Sequence, residues 1–327
     1  MNLTIKIINT VRLHINFIYF LLLLLFSSCK KESTQDSSLN NEFANGDPLI
    51  QVNISTNGVQ ILDEPKIDAK MTISFKDEEL HSENIAIEIR GKSSQMFPKK
   101  QYGFETRDQE NEDMDVSLLD MPEEEDWILQ APYSDKSLIR NVLIYDLSRE
   151  IGRYASRVKF VELTLNDVND GVYVFMEKLK RDKNRIDINK LKTSEISGED
   201  LTGGYIIKID KPDDQYTSLN SFVSEHSPYD PSGNNSIKFL YDTPDEEDIT
   251  PEQKEYISNY VKDFENTLAG ENFTDPIQGY DSHIDTDDFI DFFLLNELGN
   301  NVDGFRISTW IVKDKNEKMR MGPIWDF

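Results

Sequence analysis

The feature that most constrains this chain is its C-terminal stretch, DTDDFIDFFLLNELGNNVDGFRISTWIVKDKNEKMRMGPIWDF, residues 285–327. Phe289, Ile290, Phe292, Phe293, Leu294, Leu295 and Leu298 crowd one segment, which Asp285 or Thr286 can cap and Gly299 can end. Length, caps and apolar content predict a buried helix. Asn300, Asn301, Val302, Asp303 and Gly304 then form a polar loop. Phe305, Ile307, Thr309 and Ile311 alternate with Arg306, Ser308, Trp310 and Val312, which predicts a strand. Residues 313–318 read as a charged turn and 319–325 as a second strand, with Asp326-Phe327 behind it.

A hairpin returns the chain close to where it left, so Asp326 is expected near Asp303. Two carboxylates on rigid backbone suit metal-assisted phosphoryl transfer. One orients the nucleophilic hydroxyl, and the other holds the cation that bridges the phosphates. Protein kinases place a helix, a catalytic-loop Asp, a hairpin and Asp-Phe-Gly in this order. Here Asn301-Val302-Asp303 stands where His-Arg-Asp would, and Asp326-Phe327 where Asp-Phe-Gly would begin. Singly, each Asp is also an ordinary turn or cap residue; the pairing carries the reading.

Upstream, residues 49–54, 70–75, 85–90 and 102–106 alternate as strands. Arg90-Gly91-Lys92-Ser93-Ser94 follows one of them, and such a turn can offer backbone N–H groups to phosphate or simply face solvent. Residues 108–126 are an acidic run broken by Val116, Leu118 and Leu119, expected to be a surface loop. Residues 137–151 predict an amphipathic helix, with Leu138, Val142, Tyr145, Leu147 and Ile151 on one side and Arg140 as a candidate anion contact. Residues 158–165 and 171–177 form a hairpin ending in Glu177, Lys178 and Arg181. A further strand, 204–209, carries Lys208 among apolar neighbours. A lysine there needs a partner, either a nucleotide phosphate or a core carboxylate. Lys208 is expected to contact phosphate with Glu177 orienting it, and Lys178 is the alternative contact. Residues 212–249 read as a connection with one short strand at 237–241. Thr250-Pro251-Glu252-Gln253 then opens a helix with a capping box, its stripe Ile257, Tyr260, Val261, Phe264 and Leu268.

NELGNNVDGFRISTWIVKD and MGPIWDF, with IRGKSSQMFPKKQYGFE (89–105), LIRNVLIYDLSREIG (138–152), DGVYVFMEKLKRDKNRI (170–186) and GGYIIKID (203–210), resemble the CotH kinase family, atypical protein kinases related to spore coat protein H. The resemblance runs from about residue 48 to the last residue. It implies transfer of the ATP γ-phosphate to a Ser/Thr hydroxyl of a protein, with Mg2+ or Mn2+. Asp303 would be the catalytic carboxylate, with Asp326 and Ser308 toward metal. Arg90, Ser93, Ser94, Glu177, Lys178 and Lys208 would lie toward the nucleotide. Two positions depart from the pattern: Lys92 and Ser308 stand where the family usually or often has Asn. The fold expected is α+β, kinase-like and two-lobed. It has a strand-rich N-terminal lobe (48–211), a connection (212–249) and a helical C-terminal lobe (250–327). Pro323-Ile324-Trp325 reads as core, so the sequence is expected to be a C-terminally truncated fragment.

The 327 residues carry 61 acidic against 35 basic side chains, a net charge of −26, which argues against nucleic acid and anionic membrane as general partners. It fits a basic protein substrate or a solvated surface. One cysteine and four scattered histidines exclude a disulfide framework and a Cys- or His-rich metal site. Residues 1–28 read as an export signal: Lys6 and Arg12, then the apolar run 17–26, then Ser27-Ser28 before Cys29. That run is short for a membrane span. Cys29 is the expected lipidation site of a bacterial lipoprotein in the cell envelope, with 29–47 as a disordered tether. The competing reading, from another class, is a surface binding or assembly lipoprotein that uses a kinase-like fold without catalysis. A glycoside hydrolase would need a carboxylate pair flanking a sugar cleft, and only acidity speaks for it.

Overall fold

Strand β1 (Ile50–Ser55) shows the rule that builds the first half: Ile50, Val52 and Ile54 are buried while Asn53 and Ser55 are exposed. Period-2 alternation gives a strand one face to bury. The computed structural model describes residues 48–210, 216–227 and 236–327. The expected export signal, Cys29 and the tether lie outside them. β2 (Ile67–Phe75), β3 (Glu78–Arg90), β4 (Gln101–Arg107), β5 (Asp126–Gln130), β6 (Val158–Leu165) and β7 (Val168–Glu177) follow. They close a barrel in the order β1-β2-β3-β4-β5-β7-β6, sealed by parallel pairing of β1 with β6. Inside, Phe175 meets Phe104 edge-on at 5.6 Å and Trp127 at 5.5 Å, all fully buried. The alternate residues Ile128, Val174 and Met176 point outward into a second core.

That second core is roofed by α1 (Arg140–Glu150) and α3 (Thr286–Gly299), with Ile324 between them. A five-stranded sheet stands beside the barrel in the order β12-β11-β8-β10-β9. Its strands are β8 (Tyr205–Ile209), β9 (Ser221–Val223), β10 (Lys238–Thr243), β11 (Thr309–Lys313) and β12 (Met319–Met321). Tyr205, Ile207, Phe239 and Ile311 pack one of its faces on Ile257 and Val261 of α2 (Pro251–Ala269). The other face, Ile206 and Val312, packs on Ile186 and Ile188. α2 starts at the capping box expected of it: Gln253 N–H donates to Thr250 Oγ1, and Thr250 N–H to Gln253 Oε1.

The fold is α+β and strand-rich, with three α-helices among the described residues. Four expectations differ from it. The boundary expected near 211 falls inside one sheet, because β8 is hydrogen-bonded between β10 and β11. Residues 49–327 accordingly form one compact unit, and the two strands expected after Asp303 join the sheet of β8 as β11 and β12. The acidic run is a loop, but Leu118 and Leu119 pin it into the core. α3 is not buried all round. It turns Asp288, Phe292, Leu295 and Asn296 inward and leaves Ile290, Phe293, Leu294 and Leu298 exposed, Leu298 at 70 %. On α1 the buried residues are Asn141, Ile144, Tyr145 and Ser148, a face rotated from the expected one, while Leu138 and Ile151 are exposed. An apolar cavity of about 530 Å3 lies between the two helices, lined by Leu143, Leu147, Leu298 and Phe327, with Arg140 at its edge.

Candidate functional site

The barrel, the second sheet and the loop after α3 meet around a cleft of about 540 Å3, within the range of small-molecule sites. From the barrel side come Arg90, at the end of β3, and the turn that follows it. Gly91 makes that turn possible: its φ is +86°, and a Cβ there would lie 2.2 Å from Ser94 Oγ. The 3-10 turn Ser93–Met96 is tied back by Gln95 Nε2 donating to Gly91 O at 2.6 Å and Lys100 Nζ donating to Phe97 O at 2.8 Å. Lys178, just past β7, pairs with Asp126 at 2.7 Å. Burial pushes the Asp126 carboxyl up, but Lys178 and Lys180 outweigh it and hold the carboxyl below its usual range.

The second sheet supplies Lys208, the fourth of the five residues of β8. Trp310 on β11 faces it across one ladder and Leu240 on β10 across the other. Its Nζ lies 3.1 Å from Asp242. Asp242 sits where the β8–β10 register shifts, a bulge that re-aims a side chain. Of the two partners open to Lys208, phosphate or carboxylate, the structure provides the carboxylate.

The third wall is the segment 300–327. Asn300 caps α3 in the left-handed conformation, φ 49°. Asn301 Oδ1 then accepts from the N–H groups of Asp303 and Gly304, both at 3.1 Å, and its Nδ2 reaches Trp325 O at 3.5 Å. One amide thus ties the loop of Asp303 to the segment of Asp326. Asp303 also accepts from Arg306 at 2.5 Å. Ser308 and Asp326 are both left-handed, φ 50° and 62°. Trp325 stacks on Tyr145 at 6.0 Å and meets Trp310 edge-on at 5.8 Å. Above its ring, at 5.8 Å, lies the guanidinium of Arg90. Burial presses the pKa of Arg90 below its ordinary value, opposed by the charge of Asp326. The Arg90 guanidinium lines the cleft, where its planar fork of donors suits an anion.

The cleft therefore brings together Arg90, Ser93, Ser94, Lys178, Lys208, Asp303, Ser308 and Asp326 from stretches far apart in the chain. Two sequence candidates lie elsewhere. Glu177 is fully buried and does not orient Lys208. It accepts from Arg157 N–H at 2.8 Å, Arg157 Nη1 at 2.7 Å and the Tyr154 hydroxyl at 3.2 Å. Its place on the β7 ladder turns it to the arginine side. Arg140 lies at the edge of the apolar cavity, near Asp135 at 3.7 Å. Asp242 and Asp210 are cleft residues that sequence reasoning missed. Neither carries a signal in so acidic a chain, and a bulge leaves no mark on periodicity. Asp115, Glu124 and Glu125 form a separate acidic cluster, but Lys180 already donates to both glutamates, at 2.8 and 2.6 Å.

The cleft thus carries cations on two walls and loop carboxylates on the third. A family model described as CotH kinase protein matches residues 87–327, and the chain belongs to that family. Comparison with curated proteins gives no match.

Proposed function

We propose that this protein transfers the γ-phosphate of ATP to a Ser or Thr hydroxyl of a protein substrate, on a kinase-like fold with nucleotide held between the barrel and the second sheet. The observation that carries the reading is the convergence of Arg90, Lys208, Asp303, Ser308 and Asp326 on one cleft. Arg90, above the ring of Trp325, and Lys208 and Lys178, each paired with an aspartate, bind and orient phosphate oxygens. The turn at Ser93 and Ser94 lines the same cleft and offers backbone N–H groups to phosphate. Asp303 holds the acceptor hydroxyl through Oδ2, while Arg306 fixes Oδ1. As the hydroxyl oxygen bonds to the γ-phosphorus and the bond to the β-phosphate oxygen breaks, the hydroxyl proton passes to Asp303 and ADP leaves.

Asp326 and Ser308, with Asp303 close by in the chain, offer oxygen ligands only, which fits Mg2+ or Mn2+. Magnesium prefers one or two carboxylates plus phosphate and water to a full protein cage. Such an ion, held by Asp326 and Ser308, would neutralise charge on the nucleotide phosphates. We also propose that the protein works outside the cytoplasm, tethered to the envelope through lipid on Cys29. The supports are the charged start, the short apolar run and the sole cysteine.

The test is nucleotide affinity with and without magnesium, read beside autophosphorylation. Asp303→Asn should bind Mg·ATP as wild type does and lose transfer by about 10²–10⁴-fold. Asp326→Asn should lose the metal-dependent part of binding itself. A wild type with neither metal-dependent binding nor transfer ends the kinase reading in favour of the non-catalytic binding lipoprotein. Labelled palmitate fed to expressing cells should enter the protein and be absent from Cys29→Ala; equal labelling of both would end the lipoprotein reading.

A further inference from the structure

Helix α1 buries two polar tips where an amphipathic helix normally buries hydrocarbon. Asn141 is 7 % exposed and Tyr145 1 %, one turn apart on the face that meets the second core. Burying an amide and a hydroxyl is costly unless each is hydrogen-bonded. Both find partners on the same short segment. Tyr145 Oη accepts from the N–H of Asp326 at 3.3 Å, and Asn141 Oδ1 accepts from the N–H of Phe327 at 2.7 Å. Burial pushes the Tyr145 hydroxyl far above its ordinary pKa, so it stays protonated and neutral.

The segment they hold needs holding. Asp326 sits at φ 62°, a left-handed conformation that Asp visits more readily than most residues with a Cβ but that its surroundings must still select. Four contacts do so here. Two are the hydrogen bonds from α1. The third is the stack of Trp325 on Tyr145, with ring planes 19° apart. The fourth is the Phe327 ring against Gly299, where a Cβ would lie 2.5 Å from the ring carbons. The backbone that places Asp326 in the cleft wall is thus fixed by α1 and the end of α3.

We infer that Asn141 and Tyr145 are positioning residues that set the strength of metal-dependent nucleotide binding by fixing the backbone of Asp326 and Phe327. This rests on the reading of Asp326 as a metal ligand. It adds α1, a helix with no charged group aimed at the phosphates, to the parts that determine how much magnesium the site requires.

Ser148 makes the comparison sharp. It lies on the same buried face, 1 % exposed, but its hydroxyl donates to Arg153 O at 3.2 Å and does not touch the segment 325–327. The full chain and three variants are compared: Tyr145→Phe, which keeps the ring and removes the acceptor; Asn141→Leu, which keeps the shape and removes the acceptor; and Ser148→Ala. A fluorescent ATP analogue is titrated with magnesium, the melting temperature is recorded alongside, and hydrogen exchange at the Asp326 and Phe327 amides is followed without metal or nucleotide. The magnesium midpoint should rise about tenfold or more in Tyr145→Phe and Asn141→Leu, and each should speed exchange at its own amide. Ser148→Ala should lower the melting temperature and leave the midpoint within about twofold. If Tyr145→Phe and Asn141→Leu behave as Ser148→Ala does, the two residues only stabilise the fold and the inference is overturned while the metal site stands. A wild type without metal-dependent binding overturns the metal reading and this inference together.

Discussion

The barrel and the segment 300–327 use the same rare backbone conformation for opposite ends. In the barrel, left-handed residues come in pairs at hairpin tips: Lys76-Asp77 between β2 and β3, and Asn166-Asp167 between β6 and β7. Two-residue turns of this kind match the twist of the strands they join, and Asn and Asp adopt them at little cost. In 300–327 the conformation falls singly on Asn300, Phe305, Ser308, Asn316 and Asp326, of which Ser308 and Asp326 line the cleft. A bulky residue there is an outlier. Strain in the barrel serves pairing, and strain in the loop serves aim. The barrel is therefore the part whose mutation should cost stability, and the loop the part whose mutation should cost function.

The largest test of that division is Trp127→Ala. It empties a fully buried site beside Phe175 and should cost about 3–5 kcal/mol, read as a lower denaturant midpoint. A loss under about 1 kcal/mol would mean that the barrel is not the stabilising half.

Lys313 comes next, because it tests whether the second sheet also stores cost. It is buried, donates to Thr202 O at 2.6 Å and Asp314 O at 2.9 Å, and lies over the ring of Tyr260. Burial pushes its pKa down to about 8 from 10.5, opposed by Asp314 and Glu317. The folded state therefore releases this proton before the unfolded state does. Below pH 8 both states hold it and the burial cost is fully present; as pH rises from about 8 to 10.5 the cost is relieved and stability increases. The gain is on the order of 3 kcal/mol. Urea melts of wild type and Lys313→Met across that window should show it as a difference. A difference that stays flat, or falls, removes the claim.

Lys208→Met should weaken ATP binding about tenfold or more, since hydrogen bonds to charged groups contribute roughly 1.5–3 kcal/mol. Its partly exposed pair with Asp242 contributes about 1 kcal/mol or less to stability. If instead Lys208→Met melts the protein and Lys178→Met abolishes binding, the two lysines have exchanged roles. The smallest effect is expected of Ser308→Asn. Asn accepts the left-handed backbone more readily than Ser and adds a carbonyl ligand. The magnesium midpoint for nucleotide binding should fall severalfold with no loss in melting temperature; a rise would put Ser308 outside the metal site.

Legibility in the sequence followed how local the cause was. Alternation in β1, the capping box at Thr250 and Gln253, and a lone lysine in β8 are each decided within a few residues, and the structure has them. The order helix, Asp303, hairpin, Asp326 was also readable, because a hairpin brings its ends together. β5 was not, since Trp127-Ile128-Leu129 is apolar on both faces, as a buried helix segment also is. The rotation of α1 could not be read because the buried face carries Asn141, and its partner lies at Phe327. Asp242 as the partner of Lys208 depends on a bulge, and Glu177 on which side of a closed barrel its ladder position faces. Each miss is a pairing across a long sequence distance.

Sequence distance also orders events in time. A chain made from its N-terminus has every barrel strand once Glu177 has appeared. β8 follows soon after and meets β10, but its other edge waits for β11, where Ile209 pairs with Thr309. Throughout that wait the growing polypeptide carries a complete barrel beside a strand with one open edge, the kind of edge that invites wrong partners. Arg90, Lys178 and Lys208 are all present by then, yet Trp310 and Asp326 are not. The cleft is consequently completed only after β11 and the segment carrying Asp326 have joined the sheet and helices already made.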